Sequence, residues 1–296
     1  DIIYDQNYKF NLTIRKSLES IINNYNGDKN NEDYKKLLVY AKRVWFSNGI
    51  HHHYNQDKFT PECDKQFFID QLNLINESQL PLNNNETKEA FIKTIIPIIY
   101  DPTIASKKVS LESKGDLIKS SAVNFYEGVT QQEVTRFYEK MKIKGDSMQT
   151  MYDINSKLVK ENGVLVEKVW KVGGLYTQAI EKIVYWLEKA ITVAENNEQK
   201  NALEKLVTFY KTGLVKDFDA YNIAWVKDVN SSIDVVNGFI EVYQDPLGIK
   251  GSFESVVSVK DFEASKRIAT IGENAQWFED NSSILSLICL KGLIPF

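Results

Sequence analysis

W-V-K-D-V-N-S-S-I-D-V-V-N-G-F-I-E-V-Y-Q-D-P-L-G-I-K-G-S-F-E, residues 225–254, carries the densest signal in this chain. Ile233 to Tyr243 is rich in β-branched and aromatic side chains, and Asp245-Pro246-Leu247-Gly248 punctuates it as a turn. Side chains alternate along extended backbone, so Asp234, Val236 and Gly238 share one face and Val235, Asn237 and Phe239 the other. A carboxylate followed by a glycine, where a second backbone can approach, suits capture of an extended peptide. The carboxylate would hold the free α-amine through a charge-assisted hydrogen bond. An ordinary strand that opens on an aspartate for turn reasons accounts for the same residues, and the pattern alone leaves both readings open.

Upstream, Lys157 to Trp170 is a second β-rich run with Asn162-Gly163 at its middle, the strongest short-range hairpin signal. Around these strands the periodicity is helical. Helices are expected over 11–25, 31–48, 64–75, 86–96, 116–126 and 131–141, with Gly49 as the C′ residue of the second. The best helix runs from Leu175 to Ala194 and sets Ala179, Ile183, Trp186, Leu187 and Ala190 on one face. Tyr176, Tyr185 and Trp186 are read as core. Further helices follow over 195–210, 217–225 and from Lys260 to Ile271 or beyond. Helices surrounding a small β core make the fold α+β and mostly helical, not doubly wound.

The 43% apolar and 26% charged content of 296 residues describes an ordinary globular protein with room for a real core. A net charge of −4, with basic residues scattered among acidic ones, gives no footprint for nucleic acid or an anionic membrane. No apolar run reaches the ~20 residues of a bilayer span. Cys63 and Cys289 lie too far apart in sequence to suggest a disulfide framework or a zinc ribbon. The first residues, D-I-I-Y-D-Q-N-Y-K-F, read like the middle of a folded protein, and the apolar end S-I-L-S-L-I-C-L-K-G-L-I-P-F reads as a cut or altered terminus.

The histidines stand together as His51-His52-His53. Consecutive rings alternate on a strand and fan out by ~100° on a helix, so neither geometry turns all three to one ion. Packing and hydrogen bonding are the expected roles. The chain has no G-x-S-x-G elbow, no glycine-rich phosphate loop, and no element that pairs a cysteine with the histidine run. Gly173-Gly174 is read as the end of a strand before the long helix.

The 225–254 stretch resembles a signature of the dipeptidyl peptidase III family of zinc exopeptidases: W-x-x-D, five residues, E-x-Y-x-G-F-I-E-x-Y-x-D-P-x-G-x-x-G-x-F-E. Trp225, Asp228, Gly238, Phe239, Ile240, Glu241, Tyr243, Asp245, Pro246, Gly248, Gly251, Phe253 and Glu254 match it. Trp45 to Tyr54 (W-F-S-N-G-I-H-H-H-Y) is similar to the bacterial branch of that family. The resemblance extends from the start of the chain to about Asn281. It implies a two-lobed fold with a wide cleft, in which peptides lie as an added strand against the β core of the lower lobe. Residues 1–250 would be lower-lobe-like, and 251–296 the start of the helical, zinc-bearing upper lobe.

Candidate substrate-binding residues are Asp234, Val236, Asn237 and Gly238. Asp234 stands where the pattern has Glu, which keeps the charge and shortens the reach. Val236 stands where it has Tyr, so a phenolic hydrogen bond does not carry over. The family's zinc motif H-E-x-x-G-H is absent from the sequence, which contains no His-Glu dipeptide. The expectation is therefore a cytoplasmic fragment with short peptides and the missing zinc-bearing lobe as partners, without a specific zinc site or catalytic residues, and inactive alone. A non-catalytic peptide-binding protein derived from the family is the alternative.

Overall fold

A computed structural model describes residues 1–112, 114–142 and 154–282. Cys289 and the apolar end therefore lie outside the described residues. The chain divides into two compact units, one of residues 1–229 with 237–255 and one of 230–236 with 256–296.

In the first unit, α1 (Ile2–Asn7), α2 (Asn11–Asn24), α3 (Glu32–Phe46), α4 (Lys65–Leu74) and α5 (Lys88–Tyr100) enclose an apolar cluster that includes Leu18, Leu37, Val44, Phe68 and Ile99. The helix starts were legible because their caps are side chains: Asn31 accepts from the backbone N–H of Asp33 and Tyr34, and Asp64 from Gln66 and Phe67. The end of α3 differs from expectation in detail. Asn48, at φ 51°, is the left-handed residue, and Gly49 follows it. Asn48 N–H reaches Trp45 O and Gly49 N–H reaches Val44 O at 2.9 Å, a Schellman closure. Gly49 is needed for another reason: a Cβ there would overlap the Asn11 side chain, whose Oδ1 accepts from Ile50 N–H.

The expected helix over 116–126 is a single short turn, α6 (Leu117–Ser120). Beyond it the backbone is drawn out by pairing. Ala122 N–H bonds to Lys107 O, and β1 (Tyr126–Glu127) runs parallel to β2 (Ser156–Glu161) with Tyr126 opposite Leu158. Sheet bonding overrode the local helical period. After α7 (Gln131–Glu139), β2 and β3 (Val164–Val169) form the expected antiparallel hairpin. Asn162 and Gly163 turn it, both at positive φ, as a primed two-residue turn requires.

Next come α8 (Thr177–Ile191), α9 (Asn197–Thr212) and α10 (Val215–Trp225). The face expected for α8 holds at Leu187, which is buried, and at Ala179, Ile183 and Ala190, which pack against the core, but not at Trp186. Ile180, Val184 and Leu187 are its buried ridge, and Trp186 is 68% exposed. At ~100° per residue Trp186 lies about 200° from Val184, which turns it and Tyr185 to solvent. Tyr176 does join the core, at φ 65°, with its hydroxyl donating to Asp5. The strands β4 (Ile233–Glu241) and β5 (Ser252–Val259) form a two-stranded sheet.

The second unit contains the outer ends of those strands with α11 (Phe262–Glu273) and α12 (Ala275–Asp280). Asp261 caps α11 by accepting from Ala264 N–H, and Lys260 N–H bonds to Ser232 O. No described helix is long and apolar enough to cross a membrane.

The histidine run sits in a tight loop whose His51 pairs with Lys58. His51 is 1% exposed, its Nε2 bonds to Ala105 O at 2.7 Å, and its ring meets Tyr8 edge-on. Burial lowers its pKa from 6.5 to about 4, against the opposing pull of the Ala105 hydrogen bond. Below 6.5 the unfolded chain takes up the proton that the fold refuses. Stability therefore falls as pH drops from 6.5 towards 4, by at most roughly 3 kcal/mol. Urea unfolding across that range should show the slope in the native chain and a flatter one in His51→Gln; equal slopes would mean that the imidazole is not held neutral.

Candidate functional site

The segment from α10 to β5 is built around a turn. Asp245, 3% exposed, is its hub: Oδ1 accepts from Leu247 N–H, and Oδ2 from Ile249 N–H at 2.9 Å, Lys250 N–H at 2.8 Å and Tyr126 Oη–H at 2.6 Å. Such a carboxylate is stable in the interior because each charge-assisted bond replaces a lost water. Burial, with the adjacent Asp245 charge, pushes the Tyr126 phenol far above its ordinary range.

Lys250 is fully buried, with Nζ donating to the Tyr138 hydroxyl, to Ser156 Oγ at 2.7 Å and to Glu167 Oε1 at 3.2 Å. Gly251 sits where nothing larger fits. A Cβ there would lie 2.7 Å from Ile154 Cγ1 and 2.8 Å from the Phe239 backbone. Its N–H bonds to Ile154 O, and the Gln6 amide bridges Gly251 O and Phe253 N–H.

β4 rises from this base. Phe239 is fully buried, with ring centroids 4.7 Å from Trp170 and 5.7 Å from Phe253. Asn237 is buried too: Tyr210 Oη–H donates to its Oδ1, and its Nδ2 donates to Ser255 Oγ at 2.9 Å. Gly238 faces α10, where a Cβ would come within 2.9 Å of the Phe218 ring. The strand is therefore covered on both faces at 237–239. Val236 is half-buried and Asp234 exposed, so the residues proposed from sequence split into an open start and a clamped middle.

Two further groups were not singled out from the sequence. Glu254 has its pKa raised, first by burial and then by the like charge of Glu241, while the Tyr243 hydroxyl at 3.4 Å pulls it back. Carboxylates held together near a phenol favour an incoming cation. Their places in the G-F-I-E and F-E ends of the quoted stretch were the available signal. Asp228 is tied to Asn196, the N-cap residue of α9, at 3.4 Å.

Residues 103–280, more than half the chain, match the model of Peptidase family M49. The chain belongs to peptidase family M49. It is 26% identical over 261 residues to dipeptidyl peptidase 3 of Dictyostelium discoideum, and 22% identical over 268 residues to that of Rattus norvegicus. Each match covers 83% of this chain and 36% of the relative, so the chain spans little more than a third of their length. In fold it is similar to dipeptidyl peptidase III from Caldithrix abyssi, with a TM-score of 0.57, 18% identity, and coverage of 95% of this chain and 40% of that one.

The zinc implied by the M49 resemblance needs three or four convergent ligands. Among the described residues no three His, Cys, Asp or Glu side chains come together to hold a metal. His51 spends Nε2 on Ala105 O, and His52 Nδ1 accepts from Tyr54 and Asn55 N–H. The described residues do not fit the ion.

The packing yields a direct test. Gly251→Ala should destabilise the fold by about 1–3 kcal/mol, because the Phe239 backbone cannot yield as a flexible side chain would. An unchanged urea midpoint would show that the close approach at Gly251 is absent.

Proposed function

We propose that the chain is part of a dipeptidyl-peptidase III-like zinc metallopeptidase that removes dipeptides from peptide N-termini, and that it carries the substrate-side scaffold rather than the metal site. On this reading residues 1–250 are lower-lobe-like, residues 251–296 begin the upper-lobe-like region, and the parent belongs to the bacterial branch and works in the cytoplasm. Its partners are short peptides and the zinc-bearing lobe that supplies the chemistry. The observation that carries the reading is β4 itself: a strand locked at Asn237 and Phe239, opening on the exposed carboxylate of Asp234, with β5 as its one strand neighbour among the described residues.

A rigid strand adds affinity through main-chain hydrogen bonds, since its own ordering cost is already met in the fold. Asp234 would fix the register by taking the peptide's α-ammonium, and Val236 would offer an apolar contact where a phenol is missing. Asn237 and Gly238 would act through backbone, because the Asn237 side chain is engaged inside and the space above Gly238 is filled by Phe218.

Calorimetric titration with a short peptide bearing a free N-terminus tests this. A charge-assisted bond is worth ~1.5–3 kcal/mol, so Asp234→Asn should weaken binding roughly ten- to a hundredfold. N-acetylation of the peptide should remove the difference between native and variant chains. Equal affinities of both chains for the free peptide would remove Asp234 from the site. The purified chain should release no dipeptide from an unblocked peptide, with or without added zinc; robust zinc-dependent release would overturn the division of labour.

A further inference from the structure

A cleft of about 730 Å³ opens in the first unit between the loop after α1, the 103–110 loop and the run from Ile118 to Gly128. That volume lies in the range of sites for small organic ligands. Its charge is lopsided. Lys9, Lys107 and Lys119 line it against a single lining carboxylate, Glu127. Glu127 is already paired with Lys157, which also donates to Asn124 Oδ1 at 2.8 Å, and Lys107 is paired with Asp57 at 2.7 Å. Lys9 and Lys119 are exposed and form no ion pair among the described residues; the Lys9 charge is felt by Glu127, which Lys157 already holds, so the cleft keeps an excess of positive charge.

Hydroxyl donors stand beside them. Ser121 Oγ accepts from Ser110 N–H at 3.0 Å, which leaves its own O–H to give away. The Ser106 and Ser110 hydroxyls have no intramolecular partner among the described residues. No arginine lines the cleft, so the planar fork that grips a carboxylate at two points is missing. Ammonium groups and rotatable hydroxyls instead match a tetrahedral oxyanion, which presents acceptors in several directions. The cleft is many times larger than one such ion, and Tyr8, Ile118 and Val123 give it an apolar portion.

We propose that this cleft binds an organic phosphate monoester, its phosphoryl group held by Lys9, Lys119 and the serine hydroxyls and its organic part laid against Tyr8, Ile118 and Val123. The binding is independent of the peptide strand and needs no metal. The full chain would be titrated in low salt with adenosine 5′-monophosphate, glucose 6-phosphate, adenosine and inorganic phosphate, following heat and phosphorus NMR line width. At least one ester should bind more tightly than inorganic phosphate, adenosine should not bind, and raising salt should weaken the complex. Lys9→Gln with Lys119→Gln should cost tenfold or more, while Lys42→Gln, an exposed change outside the cleft, should cost nothing. Failure of both esters to bind, equal affinity for inorganic phosphate, or an unchanged affinity in the double variant would each overturn the assignment.

Discussion

The Asp245 carboxylate accepts one hydrogen bond from the Tyr126 hydroxyl on β1 and three from backbone N–H groups of its own turn, and the path of the chain between β4 and β5 follows from that arrangement. A buried carboxylate without partners would cost several kcal/mol, so the turn has few alternatives once Asp245 is inside. The fold it selects brings Gly251 against Phe239, and that contact sets how closely the two strands approach. Phe239 then meets Trp170 at the end of the β2–β3 hairpin, which joins the turn to the main core.

Five residues later the chain buries the opposite charge. Lys250 finds its partners on α7, β2 and β3, through Tyr138, Ser156 and Glu167, whereas Asp245 finds its side-chain partner on β1. Among the partners described, the two ions draw on different parts of the first unit. Desolvation makes such a cluster a poor source of net stability, but removing one member leaves a buried charge at a cost of ~3–5 kcal/mol. Its effect is to disfavour alternative placements of the turn, which an apolar core of similar volume would tolerate more readily.

Much of this was legible before the structure. The Asn162-Gly163 hairpin, the Asn31 and Asp64 caps and the 245–248 turn are local features whose chemistry acts over a few residues. The misread segment at 116–126 and the misplaced Trp186 share a cause: each depends on what packs or pairs from elsewhere in the chain. Extended backbone at Ala122 is fixed by Lys107, and the inward face of α8 by the ridge at Ile180, Val184 and Leu187. The candidate site divides likewise. Alternation correctly paired Asn237 with Phe239 on one face, but only long-range contacts with Tyr210 and Ser255 reveal that the amide is an internal strut.

That division bears on how the resemblance informs function. Gly238, Phe239, Asp245 and Gly251 match the quoted pattern, and every one of them is buried and restrained by a specific steric or hydrogen-bonding demand. Asp234 and Val236 depart from it, and they lie where β4 emerges from cover. Packing tolerates change at such places and penalises it at the others. Matching at these four positions therefore reports on the scaffold, whereas Tyr243, which also matches, is 64% exposed and packing does not account for it. A shorter carboxylate at 234 and an aliphatic group at 236 leave the strand intact and alter what it presents: less reach towards an amine, and one hydrogen-bond donor fewer. If β4 receives a peptide as proposed, differences from the longer relatives fall at the exposed start of the strand, not at its clamped middle.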